Sequence, residues 1–294
     1  MKTETPAPKT DKVDEMIAED RQRTERRKLM LQELLQEVSD RKGYVLAHRS
    51  AMGRTLITSG SPKLVPSYAA THTLEWIATN IKLGSEMPFM KSKIDEDGRL
   101  RIDAENAEDV KQRAPDWTRQ PALAAYLAQS TRKFGPIIAV VSPAWVDNPK
   151  HENWSKGRAL KSAADFVPLD LEGKVGLLKL EEVLVYALDG QHRVIGIQGL
   201  REVRDTPGLV LKNKEGEHTK KIIPKDDFLK MFKLPIEELQ ALLNETMLVE
   251  YIPAVIAGET REEASRRIRS TFISINSYAK RTDKGENILL DDMD

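Results

Sequence analysis

The chain has 294 residues, no cysteine, and 46 basic against 46 acidic residues. Balanced charge gives no general pull toward nucleic acid, so any such surface has to come from local clustering. The missing thiol excludes disulfides, thiolate metal sites and cysteine nucleophiles, and it suits a cytoplasmic protein. Residues 1–30 contain no apolar core of a secretory leader, and no run approaches the ~18 apolar residues of a membrane span.

Residues 1–12 are polar, carry Pro6 and Pro8, and read as disordered. From Val13 to about Val38 the pattern is helical and heavily charged. Leu31, Leu34, Leu35 and Val38 make one apolar stripe at its end, and the charged half from Asp20 to Lys28 suits either a solvated or a partner-binding helix. Gly53, Gly60, Pro62 and Pro66 mark a loop region. Tyr68 to Lys82 follows helical spacing, with Leu74, Ile77, Ala78 and Ile81 on one side. Asp95-Glu-Asp-Gly98 is a turn between short extended pieces. A mostly helical N-terminal region over 13–104 is therefore expected, followed by a second unit over 105–294.

In that unit Trp117 to Gln129 reads as a helix, ended by Phe134-Gly-Pro136. Ile137–Val141, Val175–Leu180 and Val183–Leu188 read as strands, and residues 147–165 as a polar loop. Residues 205–227, with Pro207, Gly208, Gly216, Lys212, Lys214, Lys220, Lys221 and Lys225, read as a loop or insertion. Phe228 to Leu243 is helical, with Pro235 interrupting it, and Met247 to Ile256 is extended. Thr260 and Glu263 fit a capping box opening a helix to about Ile275.

The most informative stretch is Val183 to Leu200. A strand-length apolar run meets Asp189-Gly190, then a helix begins with Gln191-His192-Arg193 and carries Val194, Ile195, Ile197 and Leu200. The first amides of a helix lack intrahelical partners, and its dipole favours negative charge there. His192 and Arg193 oppose that dipole unless a phosphate or a carboxylate compensates. Two readings follow. In one, Gly190 lets the backbone approach a phosphate or nucleotide that Gln191, His192 and Arg193 contact. In the other, Asp189 caps the helix and Arg193 pairs with a carboxylate.

The helix from Thr260 holds Arg261, Arg266, Arg267 and Arg269; with Lys280 and Arg281, residues 254–281 carry six basic and three acidic residues. Arg266 and Arg269 share a face that suits DNA phosphates or is simply solvated. Asn276 suits a helix C-cap or an amide facing a nucleotide near Arg193. His48, His72, His151 and His218 show no ligand spacing, so no metal site is expected. The sequence shows neither a Walker-type lysine loop nor a nucleophile elbow.

Leu188-Asp-Gly-Gln-His-Arg193 followed by Gly196 resembles the signature of the DGQHR-domain family. Gln112-Arg113, Arg119, Tyr126-Leu127 and the Phe134–Val141 segment resemble its lead-in. Phe272-Ile-Ser-Ile-Asn276 with Ala279-Lys280 resembles its later Phe-x-x-Ile-Asn element. The resemblance covers roughly residues 105–292. It implies an α/β (α+β) domain of the ParB/sulfiredoxin-like class, and a bacterial regulator of DndB type acting on DNA in phosphorothioation or a similar modification and defence pathway. It further implies DNA and other DNA-modification proteins as partners and a nucleoside triphosphate with Mg2+ as ligand; a homo-oligomer is compatible with the sequence but not read from it. In a hydrolytic member Asp189 would orient the turn or a metal-bound water, and His192 and Arg193 would contact the phosphate as the catalytic set. Sulfiredoxin chemistry needs a cysteine at that turn, which this chain lacks. The alternatives are a ParB-like nucleoside triphosphatase switching conformation and a non-enzymatic assembly protein recruiting partners through its N-terminal helix. Leu289 to Asp294 resembles an internal stretch of the family, so a chain cut short at its C-terminal end is expected. Residues 282–294 hold five acids against one lysine and are expected to fray.

Overall fold

The computed structural model describes residues 10–40, 43–56, 62–88, 92–94, 100–102, 115–129, 132–133 and 135–277. Seven helices occur among them: α1 (Thr10–Asp40), α2 (Leu74–Asn80), α3 (Gln120–Leu127), α4 (Gln191–Asp205), α5 (Lys225–Phe232), α6 (Ile236–Leu243) and α7 (Arg261–Ser277). The strands begin with β1 (Tyr44–Leu56), β2 (Pro62–Thr73), β3 (Ile81–Leu83), β4 (Ser92–Ile94) and β5 (Leu100–Ile102). They continue with β6 (Ile137–Pro143), β7 (Trp154–Ser155), β8 (Arg158–Ala159), β9 (Phe166–Pro168), β10 (Val175–Lys179) and β11 (Val183–Asp189). The last are β12 (Gly208–Lys212), β13 (His218–Pro224) and β14 (Thr246–Pro253). Eight of them make one mixed sheet, in the order β3-β11-β6-β14-β2-β1-β10-β9. Within it β3 runs parallel to β11 and β14 parallel to β6, and the other neighbours are antiparallel.

Successive residues of a strand face opposite sides, and β6 is filled on both. Ile137, Ala139 and Val141 belong to a core shared with residues of α2, α3, α4 and α6, while Val140 belongs to a second core with Val146, Ala163, Ala264 and Ile268. The fold is thus a mixed α/β sheet with α4 on one face and α7 on the other. On α4 the residues Val194, Ile195, Ile197 and Leu200 are all fully buried. Each such side chain contributes about 1.5–3 kcal/mol through burial, which makes α4 a rigid mount for whatever its first turn carries. No helix among the described residues is long and apolar enough to cross a membrane.

The structure corrects the expected organisation before residue 105. Among the described residues of 13–104 strand is as prominent as helix: β1 and β2 are long strands, and with β3 they join the same sheet as β6, β11 and β14. The boundary at 104/105 therefore does not separate two sheets. Tyr68, Ala70 and His72 are buried on β2 with a period of two, and α2 begins only at Leu74. Thr73 Oγ1 caps that helix by accepting from the Trp76 N–H at 3.1 Å. Pro66 is accommodated beside the bulge between Ala51 and Arg54 of β1. Of the stretch expected to be disordered, Thr10–Lys12 open α1; residues 1–9 lie outside the described residues. The expected loop at 205–227 holds the hairpin β12–β13. The interruption expected at Pro235 is seen: 228–243 is split between α5 and α6, Lys233 taking φ +49 just ahead of Pro235. The expectation of a cut-short, frayed terminus falls outside the described residues.

Candidate functional site

The site is built by β11, which lies between β3 and β6 and ends on Asp189. Gly190 then turns the chain into α4 with φ +86 and ψ +18, the left-handed region that side chains other than glycine rarely adopt. A Cβ there would lie 2.8 Å from Arg193 Nη1 and 3.2 Å from Ile137 Cγ1, so both backbone angle and space require glycine. The helix start has no side-chain cap. Of the alternative reading, the capping by Asp189 is therefore not made.

The carboxylate pairs with Arg193 instead. Nη1 of Arg193 donates to Asp189 Oδ2 at 3.2 Å and to the Pro136 carbonyl oxygen at 3.0 Å. Both side chains of the pair remain about a third exposed, at 30% and 31%. A pair of that exposure is worth about 0–1 kcal/mol, enough to offset the unfavourable dipole but too little to lock the guanidinium in place. Nη2 and Nε of Arg193 make no hydrogen bond among the described residues. The Nη2 atom lies alongside Gly135, where a Cβ would be only 3.6 Å away.

His192 is half-buried, and its Nε2 accepts a hydrogen bond from the Asp116 N–H at 3.3 Å. Its proton therefore sits on Nδ1 when the ring is neutral. Burial pushes its pKa below the ordinary value, helped by the nearby Arg119 and Arg193 and opposed by Asp116 and Asp189. A neutral ring removes one of the two cations from the helix start. With Nε2 engaged, the imidazole positions the 116–119 segment rather than offering that nitrogen as a base. Asp116 in turn closes a tight turn, accepting from the Thr118 N–H at 3.1 Å and its hydroxyl at 2.6 Å. Gln191 is half-buried and lies toward Gly84, where a Cβ would be 3.8 Å from its Cδ.

Close helix packing holds α4 in register. A Cβ on Gly196 would be 2.8 Å from Leu123 Cβ, and one on Gly199 would be 3.2 Å from Ala124 Cβ. Between them the Gln120 Nε2 donates to the Ile195 carbonyl oxygen at 3.1 Å. Asp116 and Gln120 are not singled out in the sequence, and Pro136 only as part of a helix end. The Asp-Trp-Thr turn and the Gly-Pro pair before β6 are the signals that mark Asp116 and Pro136.

The basic helix α7 is a different case. Its capping box forms as expected: the Thr260 N–H donates to Glu263 Oε2 at 2.9 Å, and the Glu263 N–H to Thr260 Oγ1 at 3.2 Å. Two of its arginines are structural. Arg267 donates to both oxygens of fully buried Glu259, at 2.7 and 2.9 Å. Arg261, 2% exposed, binds the Val146 carbonyl oxygen and Asp147. Burial raises the Asp147 carboxyl, and the Arg261 charge partly counters that. Of the expected DNA contacts, Arg266 is exposed and Arg269 is half-buried with interactions of its own. Lys280 and Arg281 lie outside the described residues. Asn276 falls in the last turn of α7, on the opposite sheet face from α4, and its side chain is outside the described residues. Among the described residues no three His, Cys, Asp or Glu side chains come together as a metal site. No protein-family model, no curated protein and no solved structure matches this chain.

Proposed function

We propose that the chain is a DNA-associated regulator of the DGQHR, DndB type, in a ParB/sulfiredoxin-like setting, and that the start of α4 holds a phosphate. The observation that carries the reading is the uncapped α4 start, with the Arg193 guanidinium against Gly190 and held through Nη1 alone, by a weak carboxylate pair and the Pro136 carbonyl oxygen. Helix-start amides and an arginine fork are the two elements of a phosphate site. Charge-assisted hydrogen bonds from such a fork are worth about 1.5–3 kcal/mol, which exceeds the about 0–1 kcal/mol of the Asp189 pair. A phosphate therefore displaces that pair at a net gain. Arg119, exposed beside His192, adds a second cation at the same edge. Arg266 is a further candidate for phosphate contact on the other face.

The residues fit a phosphate group. Asp189 is the only carboxylate bonded to Arg193 among the described residues. The reading is one of phosphate binding. Calorimetric titration of the full chain with inorganic pyrophosphate and with a nucleoside triphosphate tests it. Binding that weakens about tenfold or more in Arg193→Ala is the expected result. Heat-silent titrations of the wild type with both probes, checked by an equilibrium filter assay, refute it.

A further inference from the structure

The hairpin β12–β13 stands outside the main sheet. A two-stranded ribbon is marginal by itself in water, and this one is held by Trp117. The Trp117 N–H donates to the Lys214 carbonyl oxygen at 3.4 Å, and Lys212 Nζ lies 4.6 Å from the centre of the indole. Gly216, at φ +94, passes so close that a Cβ would sit 2.7 Å from the indole nitrogen. The first strand is the anchored one: Gly208 and Leu209 are buried, and Lys212 is paired with Glu202 at 3.3 Å. The second strand is not. From His218 to Pro224 it contains no acid, and every residue but Ile223 is exposed. Lys214, Lys220 and Lys221 have no ion pair among the described residues. Trp117 also belongs to the 117–119 turn that follows Asp116, the residue bonded to His192. The ribbon is thus tethered to the first turn of α4.

We propose that β12–β13 contacts double-stranded DNA, with Lys214, Lys220 and Lys221 on backbone phosphates. The proposal deepens the reading of the α4 turn, on which its placement of the duplex rests. A B-form major groove about 12 Å wide admits a two-stranded ribbon. Residues 219–221 bulge opposite Leu211, and Lys220 and Lys221 are both exposed there, on a strand whose residues from His218 to Ile222 are all exposed. A groove flanks such a ribbon with phosphates on both sides, which a single strand does not, so duplex DNA is the fitting partner.

Fluorescence anisotropy of the full chain with a duplex of about 20 base pairs, over a salt series, tests the proposal. In the Lys214→Ala, Lys220→Ala, Lys221→Ala variant the slope of log K against log salt falls by about 2.7, at roughly 0.9 per phosphate. Binding near 0.1 M salt weakens at least about tenfold, and the matching triple Lys→Arg variant keeps both values. The three side chains are exposed, so the melting temperature stays at the wild-type value, and Lys220→Glu alone moves binding in the same direction. Pyrophosphate binding stays unchanged in the Ala variant. A wild type that binds duplex through these lysines but takes no pyrophosphate removes the α4 reading and keeps the ribbon contact. Duplex binding unchanged in the Ala variant overturns the proposal. So does a wild type that binds no duplex, or only single-stranded DNA or RNA.

Discussion

Replacing Gly190 with alanine tests the turn where strand, helix and site meet. The residue sits at φ +86, and holding an L-residue in left-handed backbone costs about 1–2 kcal/mol. The new Cβ also meets two neighbours. Arg193 Nη1, at 2.8 Å, is the far end of a flexible side chain and swings away cheaply. Ile137 Cγ1, at 3.2 Å, belongs to a fully buried side chain on β6 and must give by a few tenths of an ångström. Together the terms predict a loss of about 2 kcal/mol, read as a lower denaturant midpoint at unchanged slope. At this chain length it corresponds to a melting point lower by roughly 4–8 °C. Gly190→Asn is the control, because asparagine tolerates the left-handed region better and should lose less backbone energy. Displacing the guanidinium also predicts weaker phosphate binding in Gly190→Ala. A variant as stable as wild type, with unchanged phosphate binding, would show that neither the backbone angle nor the close approach is as described.

Gly196→Ala drives a methyl to 2.8 Å from Leu123 Cβ across the α3–α4 contact and should cost about 1–3 kcal/mol in chemical denaturation. Gly199→Ala, at 3.2 Å from Ala124 Cβ, should cost less, and the reverse ranking refutes the packing argument. Glu259→Ala strands the buried Arg267 guanidinium and should cost about 3–5 kcal/mol; a change within 0.5 kcal/mol would mean the pair carries no such weight. His72 accepts or donates at Nε2 to the Tyr251 hydroxyl at 2.7 Å and stacks on Trp76 at 3.8 Å, and burial pushes its pKa from 6.5 down to about 4. The unfolded chain takes up that proton first, so stability is fully present above 6.5, falls between 6.5 and about 4, and levels off below. The difference amounts to about 3 kcal/mol, and His72→Phe should flatten that part of the stability–pH curve.

The parts of the fold legible in the sequence were those whose local pattern had no competitor. β6 and β11 are apolar on both faces and bounded by turn residues, and Thr260 and Glu263 form a cap from neighbouring positions. β1 and β2 were lost because Gly53, Pro62 and Pro66 signal loops, while the buried Tyr68, Ala70 and His72 alternate only when one knows which face the sheet presents. β12–β13 was hidden by its lysines, since its second strand is exposed on both faces and carries no apolar alternation. The α7 arginines read as one surface, but Arg261 is answered by Asp147, more than a hundred residues away, and the short-range pairing of Arg267 with Glu259 shows only once both are buried. At the α4 turn the sequence located Gly190 and Arg193. It left open whether phosphate or carboxylate answers the arginine; the structure supplies a carboxylate, held weakly.

The most direct measurement is residue-resolved: amide chemical shifts of the isotope-labelled full chain during titration with inorganic pyrophosphate. The account predicts that the amides of Gly190, Gln191, His192 and Arg193 move together along one saturable curve, that Asp116 follows through its bond to His192, and that Arg193→Ala abolishes the response. Shifts confined to α7 or β13, or no shifts at all, would contradict a phosphate at the start of α4.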